Sequence, residues 1–102
     1  MVTAEISLYP VGTDSPSLSF YIARSIESIS DLGVKHQTTA MGTILESDDL
    51  QKIFDATKTM TETIHRLGVK RVEVILKIDS RTDKIQTADE KLRSLDRYLK
   101  GS

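Results

Sequence analysis

The sequence predicts an α+β protein with the element order β-α-β-β-α-β, a four-stranded antiparallel sheet and an additional C-terminal helix. Three observations predict it. Apolar residues alternate along 2–9 and 71–79, the period of half-buried strands, and recur at steps of three and four along 18–32 and 50–67, the period of amphipathic helices. Clusters of Gly, Pro, Asp and Ser separate these blocks.

Val2, Ala4, Ile6 and Leu8 share one face of the first strand, with Thr3, Glu5, Ser7 and Tyr9 on the other. The turn-rich PVGTDSPS ends it. Leu18, Ile22, Ser25, Ile26, Ile29 and Leu32 then form a helical stripe that stops at Gly33, with Pro16 or Ser17 placed for a first turn. Residues 34–41 alternate more weakly, as VKHQTTAM. Gly42 permits a hairpin or bulge, and 43–46 continue as a short third strand. Ser47, Asp48 and Asp49 offer cap oxygens to a second helix whose stripe is Leu50, Ile53, Phe54, Thr57, Met60, Ile64 and Leu67, ended by Gly68. The fourth strand, RVEVILKID, points Val72, Val74, Leu76 and Ile78 inward. The polar SRTDKIQ leads to a third helix opened by a Thr87–Glu90 capping box and striped by Leu92, Leu95 and Leu99. The final Gly-Ser reads as an expression tail. This order is the ferredoxin-like split βαβ arrangement.

Composition excludes several classes of function. At 102 residues the chain is expected to form one domain, 1–102. A net charge of −1 lacks the electrostatic footprint of a nucleic-acid binder. No apolar run approaches a membrane span, and the first residues do not resemble a secretory signal. Without cysteine there is no disulfide or thiolate site, and His36 and His65 belong to no metal-spaced motif, so neither metal nor cofactor is expected. Cytoplasm is the expected compartment.

Two long helices cover one face of such a sheet and leave the other open. Ser7, Tyr9, Thr39, Met41, Leu45, Ile75 and Lys77 are expected there, too apolar for plain solvent. The third helix or a second subunit would cover them, which predicts a homo-oligomer, a tetramer ahead of a dimer. In TAMGTILESDD, Glu46 stands between a strand and a helix start that already has its cap. It reads either as a solvated strand end or as a ligand anchor.

The segments YPVGTDSPSLSFYIA, AMGTILE and KIDSRTD occur together and in order. In this the chain resembles the thiamine-binding-protein family, the small YkoF-like ferredoxin-like proteins, over nearly its whole length. The resemblance implies a non-enzymatic protein that binds thiamine or its hydroxymethylpyrimidine moiety as carrier or sensor and that self-associates. Thiamine pairs a flat aminopyrimidine with a cationic thiazolium. A site for it wants a carboxylate, hydroxyl or backbone groups, and an aromatic or thioether surface. Glu46, Thr39, Thr43, Tyr9, Met41 and Gly42 are the candidates. Thr13 and Ser15, in the 12–19 loop, are candidates for an anion such as a phosphate.

Each candidate has a plainer reading. Tyr9 and Met41 also suit a subunit interface, Gly42 a turn, and Thr13, Ser15 and Ser17 a helix cap. Lys77, Asp79, Arg81 and Asp83 read as a solvated charge cluster or an inter-subunit ion-pair set. An alternative function is an ACT-like regulatory module that binds an amino acid between subunits. An enzyme using Glu46 with Tyr9 would need an acid–base pair that the spacing does not supply.

Overall fold

The computed structural model describes residues 1–83 and 87–99. In chain order the elements are β1 (Val2–Val11), α1 (Ser19–Ser28), β2 (Lys35–Thr38), β3 (Thr43–Ser47), α2 (Leu50–Arg66), β4 (Arg71–Ser80) and α3 (Ala88–Leu99). The strands form one antiparallel sheet in the order β2-β3-β1-β4, the ferredoxin-like topology expected. The end of SRTDKIQ and the Gly-Ser tail lie outside the described residues.

β1 is the central strand, and its alternation is the pattern read from sequence. Val2, Ala4, Ile6 and Leu8 are buried beneath the helices, against Ile53, Ala56, Met60 and Ile64 of α2. Burial of each large side chain contributes about 1.5–3 kcal/mol relative to exposure, so this seam supplies much of the drive for folding. Asp49 caps α2 by accepting the Gln51 N–H at 2.9 Å. Gly68, at φ +98°, releases the chain in a conformation other residues resist. His65 Nδ1 donates to the Val69 carbonyl at 2.8 Å, and His36 is exposed on β2.

Four expectations are corrected. Leu45 is fully buried in the core, because β3 pairs Leu45 with Ala4 and residues opposite each other share a face. The α2 stripe is rotated: Ala56 is buried, whereas Leu50, Phe54 and Leu67 are exposed. α1 stops at Ser28 rather than running to Gly33. The Ser25 and Ser28 hydroxyls donate to the Ile22 and Ser25 carbonyls near this end. It also starts late, at Ser19, because the 13–17 segment closes on itself. Thr13 Oγ1 donates to the Ser15 carbonyl, Ser15 Oγ accepts the Ser17 N–H, and Leu18 at the N-cap makes no side-chain cap bond.

The third helix has its capping box. Thr87 Oγ1 accepts the Glu90 N–H at 3.2 Å, and Glu90 Oε2 accepts the Thr87 N–H at 3.3 Å. It does not close over the open face. The radius of gyration is 15.3 Å, against about 13 Å for a closed domain of this length.

Candidate ligand-binding site

β1 is twice as long as β3, and the mismatch makes a cavity. β3 pairs with β1 only from Val2 to Ile6, whereas β4 accompanies β1 to Val11. Beyond Ile6 the β3-side edge of β1 therefore has no strand against it among the described residues. Alternate residues of a strand turn their N–H and C=O groups toward a given edge; the Ile6 carbonyl lies beside Gly42 on this one, so Leu8, two residues on, turns its backbone groups the same way. The β2–β3 turn folds over this edge, and Leu18, the N-cap of α1, and Ile22 within the helix close the side. The result is a cavity of about 180 Å³. It runs on into a cleft of about 610 Å³ along α1, which reaches Ile26 and Glu27.

Five of the eight candidate residues line this cavity: Tyr9, Thr39, Met41, Gly42 and Thr43. Their parts differ from those expected. The Thr39 hydroxyl accepts the N–H groups of Met41 and Gly42 at 3.2 and 3.1 Å and donates to the Gly42 carbonyl at 2.8 Å. One donor and two acceptor positions are thereby used, so Thr39 shapes the turn and has none to spare. Ser7 Oγ donates to the Met41 carbonyl at 3.1 Å and ties the turn to β1. Gly42 permits that approach: a Cβ there would stand 2.9 Å from Ser7 Oγ and 3.1 Å from the Ile6 carbonyl. Thr43 is buried in the wall, Tyr9 is half-exposed, and Met41 is 81% exposed at the rim.

Glu46 lies elsewhere. It sits three residues beyond Thr43, about 10 Å along the strand, and on the opposite face of the sheet. It is only 8% exposed, and Oε1 accepts the Ala88 N–H at 2.8 Å, at the first residue of α3. Oε2 is buried without a hydrogen-bond partner. Its carboxylate thus meets the positive end of a helix dipole.

Thr13 and Ser15 are apart from both. Thr13 lines a cavity of about 390 Å³ with Lys70 and Arg71, at the end of α2; Ser15 is spent within its own turn. Lys77, Asp79 and Lys91 line a shallow cavity on the open face. Asp79 pairs with Lys91 of α3, and the Lys91 hydrogen bond, against a smaller desolvation effect, holds its carboxyl below the usual range. Arg81 makes a two-pronged contact with Asp83, 3.0 and 2.7 Å, whose hydrogen bond raises the guanidinium further. Leu18, Ile22, Thr38 and Ala40 were not among the sequence candidates. The first two carried only the signature of a core stripe.

A model of a family described as "Thiamine-binding protein" matches residues 4–96. The chain belongs to that family. It is 39% identical to a UPF0045 protein of Methanothermobacter thermautotrophicus, over 93% of this chain and 96% of the relative. It is 32% identical to the UPF0045 protein YqgV of Bacillus subtilis, over 97% and 98%. Two solved structures of the family's fold superpose closely. A hypothetical protein from Methanocaldococcus jannaschii aligns with a TM-score of 0.83 at 40% identity, covering 93% of this chain and 95% of that one. A Thermotoga maritima protein, assigned provisionally to thiamine biosynthesis or salvage, aligns at 0.76 and 29% identity, covering 92% and 97%. Family membership therefore directs attention to a small-molecule ligand. No described helix is long and apolar enough to cross a membrane.

Proposed function

We propose that this protein binds thiamine or its hydroxymethylpyrimidine moiety in the cavity between α1 and the β2–β3 turn, as a cytoplasmic, non-enzymatic carrier or sensor. The observation that carries the reading is the edge of β1 that β3 leaves unpaired beyond Ile6, where Leu8 turns its backbone groups outward, in a family of thiamine-binding proteins. An aminopyrimidine presents donors and acceptors in one plane, the pattern a free strand edge satisfies. Size agrees. A cavity of about 150 Å³ holds a benzene ring, so about 180 Å³ suits one heteroaromatic ring. The thiazolium would extend into the adjoining cleft, where Glu27 supplies a carboxylate beside its partner Arg24. Tyr9 and Met41 supply a ring and a thioether at the mouth. A phosphate carried by the ligand, or an unrelated anion, would go to Lys70 and Arg71 beside Thr13.

The site needs no acid–base pair for this task, which is retention rather than reaction. The protein would assemble as a homo-oligomer, a tetramer ahead of a dimer, because Tyr9, Val11 and Ile75 leave apolar surface on the open sheet face. Calorimetric titration with thiamine and with hydroxymethylpyrimidine tests the binding. Saturable heat with at least one is expected, with a raised melting midpoint from ligand linkage. No heat and no shift with either, alongside a shift with an amino acid, would favour the ACT-like reading instead.

A further inference from the structure

A single ring seated beside Leu8 leaves the far end of the α1 cleft empty. β2 pairs with β3 in a register that sets Thr38 opposite Thr43 and His36 opposite Leu45. Residues directly opposite share a face of the sheet. Leu45 is fully buried under the helices, so His36 belongs to the helix-side face, next after Thr38, which lines the cleft. Yet His36 is exposed, and no hydrogen bond or ion pair engages its imidazole among the described residues. A sheet face usually lies under a packed helix. Here α1 stands off from β2, and the gap of about 610 Å³ is the cleft.

The level of His36 along that gap follows from the register. β1 and β2 both run against β3, and α1 returns from the end of β1 to the start of β2, so it descends the sheet against both strands. Ile22 stands at the row Ile6–Thr43–Thr38, because all four line the cavity. One helical turn on, about 5.4 Å, comes Ile26, with Glu27 beside it. Two residues back along β2, about 7 Å, comes His36. Glu27 and His36 therefore stand at one level, the first on the helix side of the cleft and the second on its strand side. Glu27 Oε1 accepts from Arg24 at 2.8 Å, and Oε2 remains for another donor.

We propose that Glu27 and His36 form a polar subsite for the hydroxyl-bearing arm of thiamine, and that this subsite makes the protein prefer thiamine to the isolated hydroxymethylpyrimidine. A hydroxyl donates and accepts at once, so it can donate to Glu27 Oε2 while accepting the imidazole N–H of His36. The inference rests on the thiamine reading of the cavity but is separable from it, since the pyrimidine half alone does not reach His36.

Calorimetric titration of the full-length chain tests it with three compounds: thiamine, hydroxymethylpyrimidine, and a thiamine analogue whose hydroxyethyl arm is replaced by ethyl. Wild type should bind the analogue about five- to twentyfold more weakly than thiamine, the worth of one or two ordinary hydrogen bonds. His36→Ala should weaken thiamine about fivefold and leave the other two compounds within about twofold of wild type. His36→Gln keeps an N–H donor and should recover part of that loss. The melting midpoint of the unliganded protein should not move in either variant, because the imidazole holds nothing in the fold. Unaltered thiamine affinity in His36→Ala would overturn the subsite while the thiamine reading stands. Equal weakening of all three compounds would overturn it too, as the mark of a general effect on the cleft. If wild type binds none of the three, the thiamine reading fails and takes the subsite with it.

Discussion

Replacing Glu46 with alanine separates the two meanings this carboxylate could have. The side chain is buried at the end of β3, where Oε1 accepts the Ala88 N–H at 2.8 Å, forty-two residues later in the chain. Removing it leaves a helix N–H without its acceptor and strips a negative charge from the positive end of α3. A charge-assisted bond of this kind is worth about 1.5–3 kcal/mol. The wild-type carboxylate already bears a desolvation cost, since Oε2 is buried and unpartnered, so the net loss should fall near the low end, about 1–2 kcal/mol. For a chain of this length that lowers the melting midpoint by roughly 4–15 °C. Amide exchange at Ala88 should accelerate before exchange in the central strands does. Ligand affinity should change by less than about twofold, because Glu46 does not line the cavity and stands about 10 Å along β3 from its wall at Thr43. Glu46→Gln retains an acceptor oxygen and should lose less stability. The reasoning fails if Glu46→Ala keeps the wild-type melting midpoint and loses tenfold or more in thiamine affinity. The carboxylate would then be a ligand anchor.

Three further outcomes are expected. Gly42→Ala should push the β2–β3 turn off β1, because its Cβ would meet Ser7 Oγ and the Ile6 carbonyl; a loss of about 1–3 kcal/mol is expected by denaturant melting, with weaker ligand binding. Ile22→Trp should fill the cavity and abolish the calorimetric signal with thiamine and hydroxymethylpyrimidine while the far-UV spectrum stays native, and undiminished binding would place the site elsewhere. The Asp79 carboxyl is held below its usual 3.8 in the folded chain. Its contact with Lys91 is thus fully present above that value and is lost as pH falls through the lowered one. Protection of the α3 amides, taken relative to the intrinsic exchange rate at each pH, should fall below about pH 4 in wild type and be nearly unchanged across that range in Asp79→Asn; as both partners are solvated, added salt should mute the difference.

Period-2 and period-3.6 patterning carried most of this fold, since burial is a local property of a side chain on a regular element. β1 and β4 show it, as does the Thr87–Glu90 box, whose partners are three residues apart. Parity across strands is different. Leu45 belongs to the core because of its register with Ala4, and nothing in TILES fixes which alternate set meets the helices. The same limit applies to the site. Tyr9, Thr39, Met41, Gly42 and Thr43 could be gathered from chemistry and adjacency, but the cavity exists because β3 ends five residues into a ten-residue neighbour. Leu18 and Ile22 wall it with side chains indistinguishable in sequence from core. Glu46 shows the limit most clearly. Its partner, the Ala88 amide, is a backbone group that carries no signal of its own in the sequence, so only the folded path of the chain could pair them. That pairing holds α3 in place by its polar side and leaves Leu92, Leu95 and Leu99 facing outward, so the carboxylate's part is to fix the path of the chain.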